Sequence, residues 1–168
     1  MTDAVCELPE LTPSGRLPVG RHPAGLKDVR IRFVDQAPFR EKRERIFAAL
    51  ELYAENVWSL LPTAKLWLDG GFVTHKSWEP KDVDVVILAR PSEAGLLEQD
   101  QLLPFLTLPG PGGTKIQPMG GLVDGFLVLR GNANEIPYWQ DFWATVVDQD
   151  KNVVEGARKG YVEVSSSE

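Results

Sequence analysis

Residues 66–86 read LWLDGGFVTHKSWEPKDVDVV, and two features in this stretch can do chemistry together. Asp82 and Asp84 stand one residue apart in an apolar, strand-like run. Side chains alternate faces along a strand, so the two carboxylates point one way while Val83 and Val85 point the other. Like charges this close repel unless a cation lies between them. Hard carboxylate oxygens suit magnesium, which keeps several waters and binds through one or two carboxylates plus substrate phosphates. Gly70 and Gly71 close the preceding apolar run. A turn without Cβ atoms lets the backbone approach a ligand, and its free amides make an anion site. A phosphate cradle facing a paired-carboxylate metal site is the apparatus of phosphoryl or nucleotidyl transfer. The plainer reading is an ordinary DGG turn followed by a polar strand entrance.

A third carboxylate favours the chemical reading. Asp124 is the lone charge in GLVDGFLVL, and a carboxylate in such a strand is costly to bury without a partner. If its strand neighbours DVDVV, Asp82, Asp84 and Asp124 form a cluster able to hold two metal ions, the arrangement for in-line displacement at phosphorus. Gly125 follows directly, and a glycine inside a strand often marks a bulge. A one-residue slip there would turn Asp124 to the opposite face.

The elements that must position these groups are legible in outline. Residues 1–38, rich in Pro and Gly, read as an irregular arm with a short helical turn near Leu26–Phe33; residues 39–165 read as the domain proper. In FREKRERIFAALELYAENVWSLL, Ile46, Leu50, Tyr53, Val57 and Leu60 or Leu61 recur at helical spacing until Pro62. Arg40, Lys42, Arg43 and Arg45 mix with Glu41 and Glu44 at its start, the pattern of a solvated helix end with internal ion pairs. KLWLD (65–69) reads as a short strand and VDVVILA (83–89) as a central one. A helix follows from a Ser92 cap to about Gln101, then short strands at TKIQPM and LVDGFLVLRG. IPYWQDFWATVV (136–147) reads as a helix with Trp139, Phe142, Trp143 and Val146 on a core-facing stripe. KGYVEV supplies a last strand. The order of elements gives an α+β (α/β) domain with a mixed sheet flanked by helices.

Composition narrows the function classes. At 168 residues the chain is one domain's length, with 43% hydrophobic and 25% charged residues. A net charge of -6 argues against tight non-specific binding to a nucleic-acid backbone. Cys6 is the only cysteine, so neither an intrachain disulfide nor a thiolate metal cluster can form, which fits a reducing cytoplasm. The first residues lack the pattern of a signal peptide, and no run approaches the roughly 18 apolar residues of a membrane span. His75 reads as a surface residue and His22 as part of the arm.

Taken together, an apolar strand, Gly70-Gly71, a loop of about ten residues, Asp82-x-Asp84 and a later Asp124 resemble the nucleotidyltransferase superfamily, whose fold is shared by polymerase-β-like enzymes. LPVGRHPAGLKDVRIRF, WLDGGFVTHKSWEPKDVDVV and the ending WQDFWATVVDQDKNVVEGARKGYVEV also resemble a family of small bacterial and phage proteins grouped with nucleotidyltransferase-like domains. Several of these lie among toxin–antitoxin or defence genes. The resemblance implies a nucleotidyltransferase-like mixed sheet and two Mg2+ ions on Asp82, Asp84 and Asp124. It implies a nucleoside triphosphate (NTP) substrate contacted by Gly70 and Gly71, with Thr74 and Lys76 as further phosphate contacts, and Asp124 assisting deprotonation of the attacking hydroxyl. Many superfamily members carry Ser where this chain has Gly71. The expected activity is transfer of a nucleoside monophosphate to a hydroxyl of an RNA, a protein or a small molecule. The alternative is a catalytically inactive binding or regulatory protein of the same fold, an antitoxin or phage partner protein.

Overall fold

The structure, a computed structural model, describes residues 6–132 and 134–166; the side chain of Trp143 also lies outside the described residues. Along the chain run β1 (Arg21–Ala24), α1 (Leu26–Arg30, continued by a π-helical turn to Asp35), α2 (Arg40–Leu60), β2 (Lys65–Asp69) and β3 (Val83–Ala89). Two short helices, α3 (Pro91–Ala94) and α4 (Gln99–Leu102), lead to the small hairpin of β4 (Leu108–Pro109) and β5 (Lys115–Ile116). Then come β6 (Val123–Leu129), α5 (Glu135–Ala144), β7 (Thr145–Val147), β8 (Val153–Arg158) and β9 (Tyr161–Ser165). The main sheet has the order β1-β9-β2-β3-β6. Its outer pairs, β1–β9 and β3–β6, are parallel and the inner pairs antiparallel. The fold is α+β with a mixed sheet, as the sequence pattern requires. Among the described residues no helix is long and apolar enough to cross a membrane.

Strand alternation divides the core in two. Leu66, Leu68, Val83, Val85, Ile87, Val123, Val162 and Val164 face α2, whose Ile46, Leu50, Tyr53 and Val57 are buried against them. Trp67, Val86, Leu88, Val128 and Tyr161 occupy the other face, packed by Ile136 and Trp139 of α5. The acidic positions of the sheet lie on this second face.

Four expectations need correcting at the level of elements. Residues 21–24 are not irregular: they form an edge strand paired in parallel with β9, where Pro23 is tolerated because an edge leaves its missing N–H unneeded. Leu8, Leu17, Val29 and Phe33 are buried in the main core, so this segment is part of the domain's packing. The helix expected over 92–101 is two short pieces, α3 with Pro91 at its first turn rather than a Ser92 cap and α4. The helix expected to reach residue 147 stops at Ala144, because Thr145, Val146 and Val147 are β-branched and Thr145 and Val147 pair with β8. The aromatic stripe is split: Trp139 packs on Phe126 and Val146 is buried, whereas Phe142 is 54% exposed and stacks on exposed Tyr138.

Gly125 does not bulge the strand. The β3–β6 register runs without interruption from Val83 opposite Val123 to Ala89 opposite Leu129. Glycine is required there for space. A Cβ would collide with the Phe105 carbonyl oxygen and lie 2.7 Å from Tyr53 Oη, which itself donates to that carbonyl. The Gly125 amide donates to Thr107 Oγ1 at 2.9 Å, so residues 105–107 are locked against β6. Gly125→Ala is expected to lower stability by about 1–3 kcal/mol through overpacking and to loosen the Thr107 contact with Asp124. Urea denaturation and the Thr107 amide resonance check this; unchanged values for both would contradict it.

A candidate two-metal and phosphate site

The glycine turn is built from below by an arginine. Gly70 has φ +84°, a conformation that favours glycine, and a Cβ there would lie 2.9 Å from Asp84 Oδ2. Gly71–Val73 form a single 3-10 turn. Arg43 reaches this turn from α2 and is fully buried. Its Nη1 donates to Phe72 O at 2.6 Å and Phe33 O at 3.1 Å; Nη2 donates to Thr74 O at 2.6 Å and Gly71 O at 3.4 Å. Three carbonyls of the turn are thereby held by one guanidinium, whose pKa burial lowers to about 10. The expectation of a solvated helix end holds for Arg40, which pairs with Asp35 and Glu44, and fails for Arg43.

The neighbours of the turn divide into structural and available groups. The Thr74 hydroxyl donates to Gly71 O at 2.8 Å and accepts from the Lys76 amide, so it shapes the turn itself. His75 donates its Nε2–H to Arg32 O at 2.7 Å and stands edge-on to Phe33; it pins the turn to the N-terminal segment and is half-buried, not a surface group. Lys76 lies over the bare face of Gly71, where a Cβ would collide with its Nζ, and 4.8 Å above the Trp78 ring. Among the described residues its ammonium forms no ion pair. Burial, then Lys159 and Arg43, lower its pKa to about 8. It is the cation of this turn that is free to meet an anion.

The carboxylates line up across the sheet. Asp84 on β3 is the register partner of Asp124 on parallel β6 and, on its other side, of Asp69 on β2. Asp82 precedes β3. Asp82, Asp84 and Asp124 each offer an oxygen within 4.8 Å of the others. The loop between α4 and β6 supports them: Thr107 Oγ1 donates to Asp124 Oδ1 at 2.6 Å, Lys115 Nζ lies 3.4 Å from Asp124 Oδ2, and Gln117 Nε2 donates to Asp82 Oδ2 at 2.8 Å. Asp84 has no hydrogen bond of its own among the described residues. Burial, with Asp82 and Asp124 beside it, raises its pKa to about 7 against the pull of Lys159 and Lys115. Asp69 is raised to about 7 as well, by burial, opposed by Lys159 and reinforced by Asp84. Lys159 Nζ is 3.4 Å from Asp69 Oδ1, an ion pair without hydrogen-bond geometry.

This donor set fits a hard divalent cation. All the ligands are carboxylate oxygens, they converge, and the central one bears a repulsion that a bound cation would relieve. The sequence-expected trio is therefore brought together beside Gly70. Six further groups escaped the sequence reading. Asp69 reads as part of a DGG turn, Arg43 as one of several alternating surface charges, Thr107 as a residue beyond the end of a helix, and Lys115 as part of a short strand at TKIQPM. Lys159 and Gln117 carried no local signal at all.

A family model described as a family of unknown function, DUF6932, matches residues 9–165. No curated protein and no solved structure matches the chain.

Proposed function

The chain belongs to the DUF6932 family, and for this member of it we propose a magnesium-dependent nucleotidyltransferase. It transfers a nucleoside monophosphate from an NTP to a hydroxyl of an RNA, a protein or a small molecule. The observation that carries this reading is the convergence of Asp82, Asp84 and Asp124 oxygens within 4.8 Å beside the Gly70-Gly71 turn. Asp82, Asp84 and Asp124 would hold the magnesium ions. When bound, magnesium supplies charge neutralisation at the triphosphate and orients it for in-line displacement.

The chain's own residues do the rest. The missing Cβ atoms at Gly70 and Gly71 leave room for Asp84 and Lys76 to close on the turn, and Lys76 there meets the charge of the phosphates. Thr107 fixes the orientation of Asp124 through Oδ1, and Oδ2, beside the exposed Lys115 ammonium, takes the proton of the attacking hydroxyl. The acceptor oxygen bonds to the α-phosphorus as the bond to the bridging oxygen of the β-phosphate breaks, and pyrophosphate leaves. Asp84, central in the row and partly buried, is the residue whose loss disables the site most.

The test incubates the protein with α-labelled nucleoside triphosphates, magnesium and total cellular RNA and protein. Label is expected in an acceptor with the unmodified chain and at least about 100-fold less with Asp84→Ala. Absence of both transfer and nucleotide binding would reject the enzyme. It would favour an inactive binding or regulatory protein of toxin–antitoxin or phage context, in which Lys115 and Gln117 satisfy the carboxylates.

A further inference from the structure

A cavity of about 490 Å³ opens on the second face of the sheet, between residues 19–21, α5 and the end of β8. Its polar lining is Arg21, Gln140, Asp141, Arg158, Lys159 and Tyr161. Lys159 belongs to two places at once: it lines this cavity and is ion-paired to Asp69, the register partner of Asp84. The cavity therefore abuts the acidic row from the side opposite β6.

Its charges are arranged for an anion. The Lys159 side chain is 11% exposed and the Asp69 side chain 4%, so the ammonium is anchored from behind by a carboxylate the cavity does not reach. Arg21 pairs loosely, at 3.6 Å, with Glu163, which is buried and is also held by Trp67 and Lys65. Arg158 pairs with Asp141, which is 75% exposed. Both guanidiniums are about half exposed and can turn to a planar or tetrahedral oxyanion without leaving a buried carboxylate unpartnered. The volume suits a nucleotide- or sugar-sized group.

We propose that this cavity binds a phosphomonoester, held by Arg21, Arg158 and Lys159. In the reading proposed above, on which this role rests, it is the phosphate of the acceptor, set beside the acids so that a neighbouring hydroxyl faces them. The phosphate belongs either to a small sugar phosphate or to the end of an RNA.

Binding is testable without transfer. Inorganic phosphate titrated into the full-length, metal-free protein in EDTA is expected to shift the amide resonances of Gly20, Arg21, Gln140 and Lys159, while chloride at equal ionic strength does not. Ribose 5-phosphate and a 5′-phosphorylated RNA trinucleotide then compete, and the tighter of the two identifies the source. Arg21→Ala/Arg158→Ala is expected to weaken phosphate binding at least tenfold with the remaining spectrum unchanged; Arg158→Ala alone, a surface change, serves if the double variant fails to fold. Shifts confined to Gly70–Lys76, or affinity unaffected by Arg158→Ala, would overturn the proposal. Because no nucleotide is present, a failed transfer assay leaves this result standing, and a failed phosphate titration leaves the transfer assay standing.

Discussion

Asp84→Asn is expected to make the metal-free protein more stable at pH 8 while abolishing its response to divalent cations. The sign follows from the raised pKa. A carboxyl whose pKa is higher in the folded chain than in the unfolded one favours folding below the ordinary carboxylate range. That contribution is lost as pH rises to about 7, the value set by burial and by Asp82 and Asp124. Each tenfold change in proton affinity is worth about 1.4 kcal/mol, so ionised Asp84 costs the metal-free fold on the order of a few kcal/mol at pH 8. Asparagine carries no charge at any pH and removes that cost. The melting temperature of the unmodified protein in EDTA is therefore expected to fall between pH 5 and pH 8, with Asp69, raised in the same way, contributing alongside Asp84. Asp84→Asn should flatten part of this slope. Manganese, a spectroscopically convenient substitute for magnesium, should raise the melting temperature of the unmodified chain more at pH 8 than at pH 5, since the ion competes with the protons. It should leave Asp84→Asn nearly unmoved. A variant less stable than the parent at pH 8, or one still stabilised by manganese, would show that Asp84 is not the centre of a cation site.

The residues that announced this site were those whose meaning is local. Asp82 stands immediately before β3 and Asp84 within it, so the alternation local to this segment brings both carboxylates to one side, and VDVVILA is apolar enough to fix the strand's bounds. Asp124 stood out because a single charge in an apolar strand is anomalous wherever the strand lies. What remained hidden depends on which strands become neighbours. Asp69 gains its role only when β2 pairs antiparallel with β3 and places it opposite Asp84. Lys159 matters because β9 inserts between β1 and β2, a crossover that no spacing reveals. The Gly125 reading turned on the same point: a strand glycine signals either a bulge or a close approach, and only the position of the Phe105 carbonyl decides between them. Arg43 was misjudged for a related reason. Its neighbours Arg40 and Glu44 do form the surface pairs their pattern suggests, and position 43 differs only in facing the turn of a segment almost thirty residues away.

That misjudged arginine carries the second large effect. Arg43 is fully buried and its guanidinium spans the carbonyls of Phe33, Gly71, Phe72 and Thr74. Truncation takes the guanidinium donors from these carbonyls, of which Gly71 O keeps the Thr74 hydroxyl, and leaves a cavity the size of the side chain. Arg43→Ala is accordingly expected to cost about 3–5 kcal/mol, in the range for breaking a buried charged network, against a total stability on the order of 5–15 kcal/mol. Arg43→Lys is the informative variant. Lysine keeps the charge but has no planar fork, so it can serve only part of the carbonyl set. It is expected to fold with stability reduced by about 1–3 kcal/mol and to separate two functions of the site. The carboxylates are positioned by β3 and β6 and by the Thr107–Gln117 loop, to which Arg43 donates no hydrogen bond among the described residues, so manganese binding should stay within about twofold of the parent. The glycine turn is positioned by Arg43 itself, so triphosphate affinity should fall at least about tenfold, equivalent to 1.4 kcal/mol. Urea denaturation, manganese titration and nucleotide binding on one preparation give all three numbers. Equal losses in metal and triphosphate binding would mean that the turn and the acids move as one unit. Unchanged triphosphate binding would mean that the turn is not where the phosphates sit.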